Sequence, residues 1–188
     1  MYARIGGIKA AGICAALCCL YGAAVTSAAQ SRAAYVTWQG AEPDKGASMW
    51  LIVRHIDPHA RILVVPFEAP LPSGIPFDVP VARYRRTHHA STFESLLRYH
   101  PVADPIVQRM AQIIHDIEIN LWRPRRFPES IVIENTTLEI AERFGGRNIP
   151  VTCFVPLFDG IYSWLASGQT ERTLIVPREC RKENAGDR

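Results

Sequence analysis

Residues 34–66 read AYVTWQGAEPDKGASMWLIVRHIDPHARILVVP, and this stretch decides the class of fold. Residues 34–38 are short, aromatic and β-branched, the composition of a strand. Turn residues follow at 40–44, and Asp44 stands where a helix N-cap is expected. Ala47, Trp50, Leu51, Val53 and Ile56 then recur at helical spacing until Asp57-Pro58 stops the segment. The run RILVVP at 61–66 reads as a buried strand ended by its proline. Strand, helix and strand therefore open the domain.

Outward from that unit, Pro70, Pro72, Gly74, Pro76 and Pro80 force an extended, turning segment. Beyond it the pattern is helical, at 91–99, 104–119, 129–144 and from about Pro156 to Leu165. Early strands followed by four or five helices give an α+β class, a small sheet packed against helices, in a domain spanning 34–168. The tail at 169–188 offers one further edge strand, TLIV at 173–176, before a polar end.

On the other side of the unit, Arg4 and Lys9 precede the uncharged run AAGICAALCCLYGAAV at 10–25, with small residues after it. Residues 1–29 are read as a secretory signal peptide, since the run falls short of the roughly 20 residues of a membrane span, with a retained membrane anchor as the alternative. An exported protein, periplasmic or extracellular and without stable membrane insertion after cleavage, is expected. Of five cysteines, Cys14, Cys18 and Cys19 would leave with that segment, and Cys153 and Cys180 would meet an oxidising compartment. A bridge between them and two free thiols are both open readings. With 48% hydrophobic and 21% charged residues the chain is globular in composition, and a net charge of +3 excludes a strongly basic nucleic-acid binder.

Three clusters carry chemistry. In EPDK at 42–45, Lys45 sits in a first helical turn, facing the positive end of the helix dipole; a carboxylate partner or a bound anion is expected to offset it. In RYRRTHH at 83–89, Arg85 and Arg86 offer anion-binding guanidinium groups, and His88 and His89 precede Ser91 and Glu94, which fit a capping box. In HDIE at 115–118, helical geometry puts His115 at about 180°, Asp116 at about 280° and Glu118 at about 120° around an axis whose apolar stripe centres near 30–40°. His115 and Glu118 can thus face one site. His88, Glu94 and His115 are candidate ligands for a divalent zinc, manganese or iron ion, with Glu118 and Asp116 as candidate catalytic carboxylates and Lys45, Arg85 and Arg86 as the anion-binding set.

The motifs EPDK at 42–45, ASMWLI at 47–52, IDP at 56–58, PFD at 76–78, RTH at 86–88 with STFE at 91–94, IHDIE at 114–118, and residues 158–164 resemble the ChrB C-terminal domain family of chromate-resistance proteins. The resemblance spans about residues 35–164 and implies a role in chromate resistance. Cytoplasmic members carry a regulatory region ahead of this domain, whereas here a signal-like segment takes that place, so transcriptional regulation is not carried over. Some members have Cys-Pro before the matching tryptophan; this chain has Ser48-Met49-Trp50, so thiol chemistry is not carried over either. His88, His115 and Asp116 match the family's polar motifs. The expectation is a ChrB-like domain with a His/carboxylate metal or oxyanion site, and the alternative is a non-catalytic module that binds or senses a small inorganic anion.

Overall fold

The aromatic and β-branched run forms β1 (Ala34–Trp38), and the apolar run after the first helix forms β2 (Arg61–Val65), parallel to it with Ala34 opposite Arg61 and Trp38 opposite Val65. The structure, a computed structural model, describes residues 32–168 and 176–181; the expected signal segment 1–29 and most of the expected tail strand lie outside the described residues. A two-residue β3 (Ile75–Pro76) pairs parallel to β1 on its other side, giving the order β2-β1-β3. The helices are α1 (Pro43–Leu51), α2 (Thr92–Tyr99), α3 (Pro105–Glu118), α4 (Pro128–Arg143) and α5 (Val151–Ala166), which makes the fold α+β. None of the described helices is long and apolar enough to cross a membrane.

Central β1 is buried at Tyr35, Val36 and Thr37, while β2 is exposed at Arg61 and half-buried beyond it. The expectation of a buried β2 is corrected: among the described residues it pairs with β1 alone, at the edge of the sheet, and it is exposed or half-buried along its length. Tyr35 packs edge-on against Phe77 on the core side. On the opposite face Trp38 meets Phe67 and donates its indole N–H to the Ala69 carbonyl at 2.9 Å, so the proline-rich segment covers the sheet.

Helix α1 starts on Pro43, whose missing N–H falls where no intrahelical acceptor exists. Glu42, not Asp44, occupies the N-cap position, and Asp44 is turned away into the interior. The end of α1 widens into a π turn at Ile52–Ile56, closed by Asp57 N–H donating to the Ile52 carbonyl at 2.8 Å. Within it Arg54 makes a two-pronged ion pair with Asp159 of α5, at 2.9 and 2.7 Å, and the Trp50 indole donates to the same carboxylate at 2.8 Å.

Helix α5 begins five residues before the expected start at Pro156, which stands inside it. The apolar face explains this. Cys153, Phe154, Leu157, Phe158, Ile161 and Trp164 are all buried, a stripe continuous across the proline, and tertiary burial outweighs one lost backbone hydrogen bond. Cys153 is bridged to Cys180, with Cα atoms 4.8 Å apart, well inside the reach of a disulfide. Closing that loop contributes on the order of 3 kcal/mol.

Asp116 terminates one helix and starts the next. It is fully buried and accepts hydrogen bonds from Asn120 Nδ2 at 2.8 Å, Arg126 N–H at 2.8 Å, Phe127 N–H at 3.3 Å and Ser130 Oγ at 2.7 Å. Burial alone would raise its pKa, but these donors outweigh it and hold the carboxyl below its usual range. This candidate catalytic residue is therefore a cap on the α3–α4 connection.

Helices α1 and α5 touch closely because Gly46 has no side chain: a Cβ there would lie 2.2 Å from Phe154 Cδ1. Gly46→Ala should lower stability by about 1–3 kcal/mol in urea unfolding followed by circular dichroism, although alanine is the better helix former by about 1 kcal/mol. Equal or greater stability would mean that the two helices have room to part.

Candidate functional site

The strand order reverses direction at β1, since one connection leads to β2 and the next returns past it to β3. In open parallel sheets ligands gather outside the carboxyl ends of strands at such a point. Here it is occupied by a charged network. Lys45 is 4% exposed, and its ammonium is paired with Asp78, just after β3, and donates to Thr37 Oγ1 of β1 at 3.3 Å. The carboxylate partner expected of Lys45 is thus Asp78, which the sequence motifs contained but did not mark as a site residue. Gly40 makes the approach possible, because a Cβ there would come within 2.2 Å of Lys45 Cε.

Asp78 holds a left-handed backbone, φ 51°, unusual for a residue with a Cβ. Its N–H donates to the Tyr84 carbonyl at 2.8 Å and its carboxylate accepts from Thr92 Oγ1 at 2.7 Å. Backbone strain held by surrounding bonds is a mark of constrained sites.

Asp44 completes the network from α1. Its carboxylate accepts the N–H of Thr92 at 2.7 Å and of Phe93 at 2.9 Å, so it caps α2 from another helix, alongside the cap supplied by Ser91. Glu118 at the end of α3 accepts the backbone N–H of Asp44 at 3.1 Å and pairs with Arg86 at 2.5 Å. Burial, followed by the charges of Asp78 and Glu118, pushes the Asp44 carboxyl up to about 7 against the pull of the two N–H donors. Burial likewise raises Glu118, opposed by the Asp44 N–H and Arg86.

The expected convergence of imidazole and carboxylate groups does not occur as one cluster. His115 Nδ1 lies 3.1 and 3.0 Å from the two oxygens of Glu94, and Glu94 also closes the capping box with Ser91, as expected. Glu118 faces Asp44 and Arg86 instead. His88 and His89 are exposed on the loop before α2. Of the candidate metal ligands only Glu94 and His115 meet, and among the described residues no group of three or more His, Cys, Asp or Glu is arranged to hold a metal ion.

Arg85 and Arg86 do come together. Both line a cleft of about 360 Å³ with Asp78, Val79 and Pro80, and an adjoining hollow of about 480 Å³ with Thr87 and His88. Among the described residues Arg85 is tied only to the Ala82 carbonyl, at 2.7 Å, and the Arg86 side chain is 49% exposed despite its bond to Glu118.

The raised carboxyls set a pH dependence. A folded state that holds protons on Asp44 and Glu118 where the unfolded chain has released them loses stability as pH rises through that interval. Between pH of about 4.5 and 7 the unfolding free energy should fall, by at most about 1.4 kcal/mol per pH unit for each proton involved. The depressed Asp104, Asp116 and Asp159 act below this window, and His55, whose pKa burial lowers, acts within it in the opposite sense and makes the fall shallower. Urea unfolding across the interval should give a flatter profile for Asp44→Asn; an unchanged slope would assign the protons elsewhere.

Neither the curated proteins nor the solved structures contain a match to the chain. The family model for the ChrB C-terminal domain matches residues 35–165. Among the described residues that interval holds β1 from Tyr35 onward, β2, β3, α1 to α4 and all but the last residue of α5, with the Lys45–Asp78 network and the arginine-lined cleft. The chain belongs to the ChrB C-terminal domain family, which ties it to chromate resistance.

Proposed function

We propose that this domain binds a small tetrahedral oxyanion, chromate or a close relative of it, in the cleft between the turn after β3 and the loop before α2. The observation that carries the reading is the pair Arg85 and Arg86 on two adjoining hollows. A guanidinium has five N–H donors in a planar fork, and each of these arginines uses few of them within the protein. His88 extends the rim, and Lys45 offsets the charge of Asp78 at the inner end. Binding here needs no bond to be made or broken, so the reading is of a binding or sensing module rather than an enzyme.

Action outside the cytoplasm belongs to the same proposal. It is supported by the signal-like pattern at 1–29 and by the Cys153–Cys180 bridge, a bond that persists in oxidising compartments. The metal-centred alternative is less favoured because His88 and His115 do not share a donor set.

Thermal unfolding of the purified protein in sodium chromate, sulfate and chloride at matched ionic strength tests the reading. Chromate at about 100 times its dissociation constant should add about 2.7 kcal/mol of stability. Arg85→Ala, which also frees the Ala82 carbonyl and is therefore checked for unchanged unfolding in chloride, should weaken binding about tenfold, the loss of roughly one charge-assisted hydrogen bond. No anion-specific stabilisation, or stoichiometric zinc, manganese or iron lost on His115→Ala, would overturn it.

A further inference from the structure

A larger hollow lies away from the arginine cleft, between the C-terminal part of α2 and the outer face of α3. It measures about 790 Å³ and adjoins another of about 730 Å³, and His115 and Arg126 line both. Volumes of this order hold small organic molecules rather than a bare inorganic ion. The geometry points to a second ligand site here, for an aromatic hydroxycarboxylate.

Each part of that ligand class answers a feature of the trough. Arg98 and Arg126 line the first hollow, and among the described residues neither guanidinium has a carboxylate partner or a side-chain hydrogen bond, unlike those of Arg54, Arg86, Arg109, Arg125 and Arg143. Arg126 lies 5.8 Å over the Phe127 ring, a contact that leaves its N–H donors free, and two such forks on one hollow suit a carboxylate. Leu97 and Ala111 supply an apolar wall beside Phe127, whose ring already carries the Arg109 guanidinium at 3.9 Å, and Trp122, 95% exposed, lines the second hollow and offers a flat ring a face to stack on.

The hydroxyl is assigned from the imidazole. Glu94 Oε2 accepts from Ser91 N–H at 2.8 Å and Ser91 Oγ at 3.0 Å, the pattern of an ionised carboxylate, so the nitrogen facing it, His115 Nδ1, is the donor. In the neutral ring Nε2 then carries a lone pair, and among the described residues it has no protein partner. A capping box thus fixes the tautomer of a side chain that lines both hollows, leaving an acceptor for a ligand O–H.

The probes are 4-hydroxybenzoate and benzoate, titrated into the purified protein by calorimetry and by ¹⁵N NMR of the histidine rings. Saturable binding of 4-hydroxybenzoate is expected, with a shift of the His115 Nε2 signal and about tenfold weaker affinity in Arg98→Ala and in Arg126→Ala. Arg147→Ala, on an exposed turn away from the trough, should bind as the parent does. Benzoate should bind several-fold more weakly, and His115→Phe should erase that difference, with His115→Gln as a second variant should phenylalanine disturb the fold. No saturable binding up to about 10 mM would overturn the site. Parent-like affinity in both arginine variants, or equal affinity for the two probes, would overturn it as well. Displacement of 4-hydroxybenzoate by chromate would overturn the separation from the arginine cleft, whereas failure of chromate to bind anywhere leaves this site standing and removes only the other.

Discussion

One buried carboxylate joins the parts of this domain. Asp44 sits in the first turn of α1, its side chain receives the first two N–H groups of α2, and its own N–H is received by Glu118 at the end of α3. Three helix ends, each with polar groups that have no partner within their own helix, satisfy one another through it. An aspartate replaced by an apolar residue here would leave buried donors unmet, at about 1–3 kcal/mol each. The proximity of the helix termini is also what crowds Asp78 and Glu118 around it and makes the region electrostatically tense.

Lys45 and Arg86 relieve that tension from opposite sides. Lys45 is sealed against Asp78, whereas Arg86 reaches Glu118 from the rim with half its surface in solvent. The inner pair is a structural element whose breaking would leave an uncompensated buried charge. The outer pair is available to a ligand, because a guanidinium can keep one bond to a carboxylate and offer its remaining N–H groups elsewhere. On the proposed oxyanion reading, the boundary between architecture and recognition runs between these two cations.

The helices and strands were largely legible because each shows its period over many residues: β1, α1, α3 and α4 fall within a residue or two of where the spacing puts them. Helix α5 was not, because Pro156 is a local stop signal that only the burial of Phe154 and Phe158 overrides. Lys45 announced that it needed a counter-charge, by its position against the helix dipole, but Asp78 stands between prolines in a segment without period, and nothing local points from one to the other. For Asp116 the arithmetic was more informative than the use made of it. About 100° from His115 and about 160° from Glu118 around the helix, it had to face another part of the molecule, and it does, under the start of α4. His115 and Glu118, only about 60° apart, were expected to converge and instead part company, because α2 lies against one and the loop carrying Arg86 against the other.

Glu94 has a peculiarity of its own. A single carboxylate both fastens the beginning of α2 and steers the ring of His115. A substitution at this position consequently touches both: losing the carboxylate would loosen the helix start and release the imidazole in the same stroke. Compensation would have to come as a pair, with a new anchor for Ser91 appearing together with a new orienting group for the histidine, which is a rarer event than either alone.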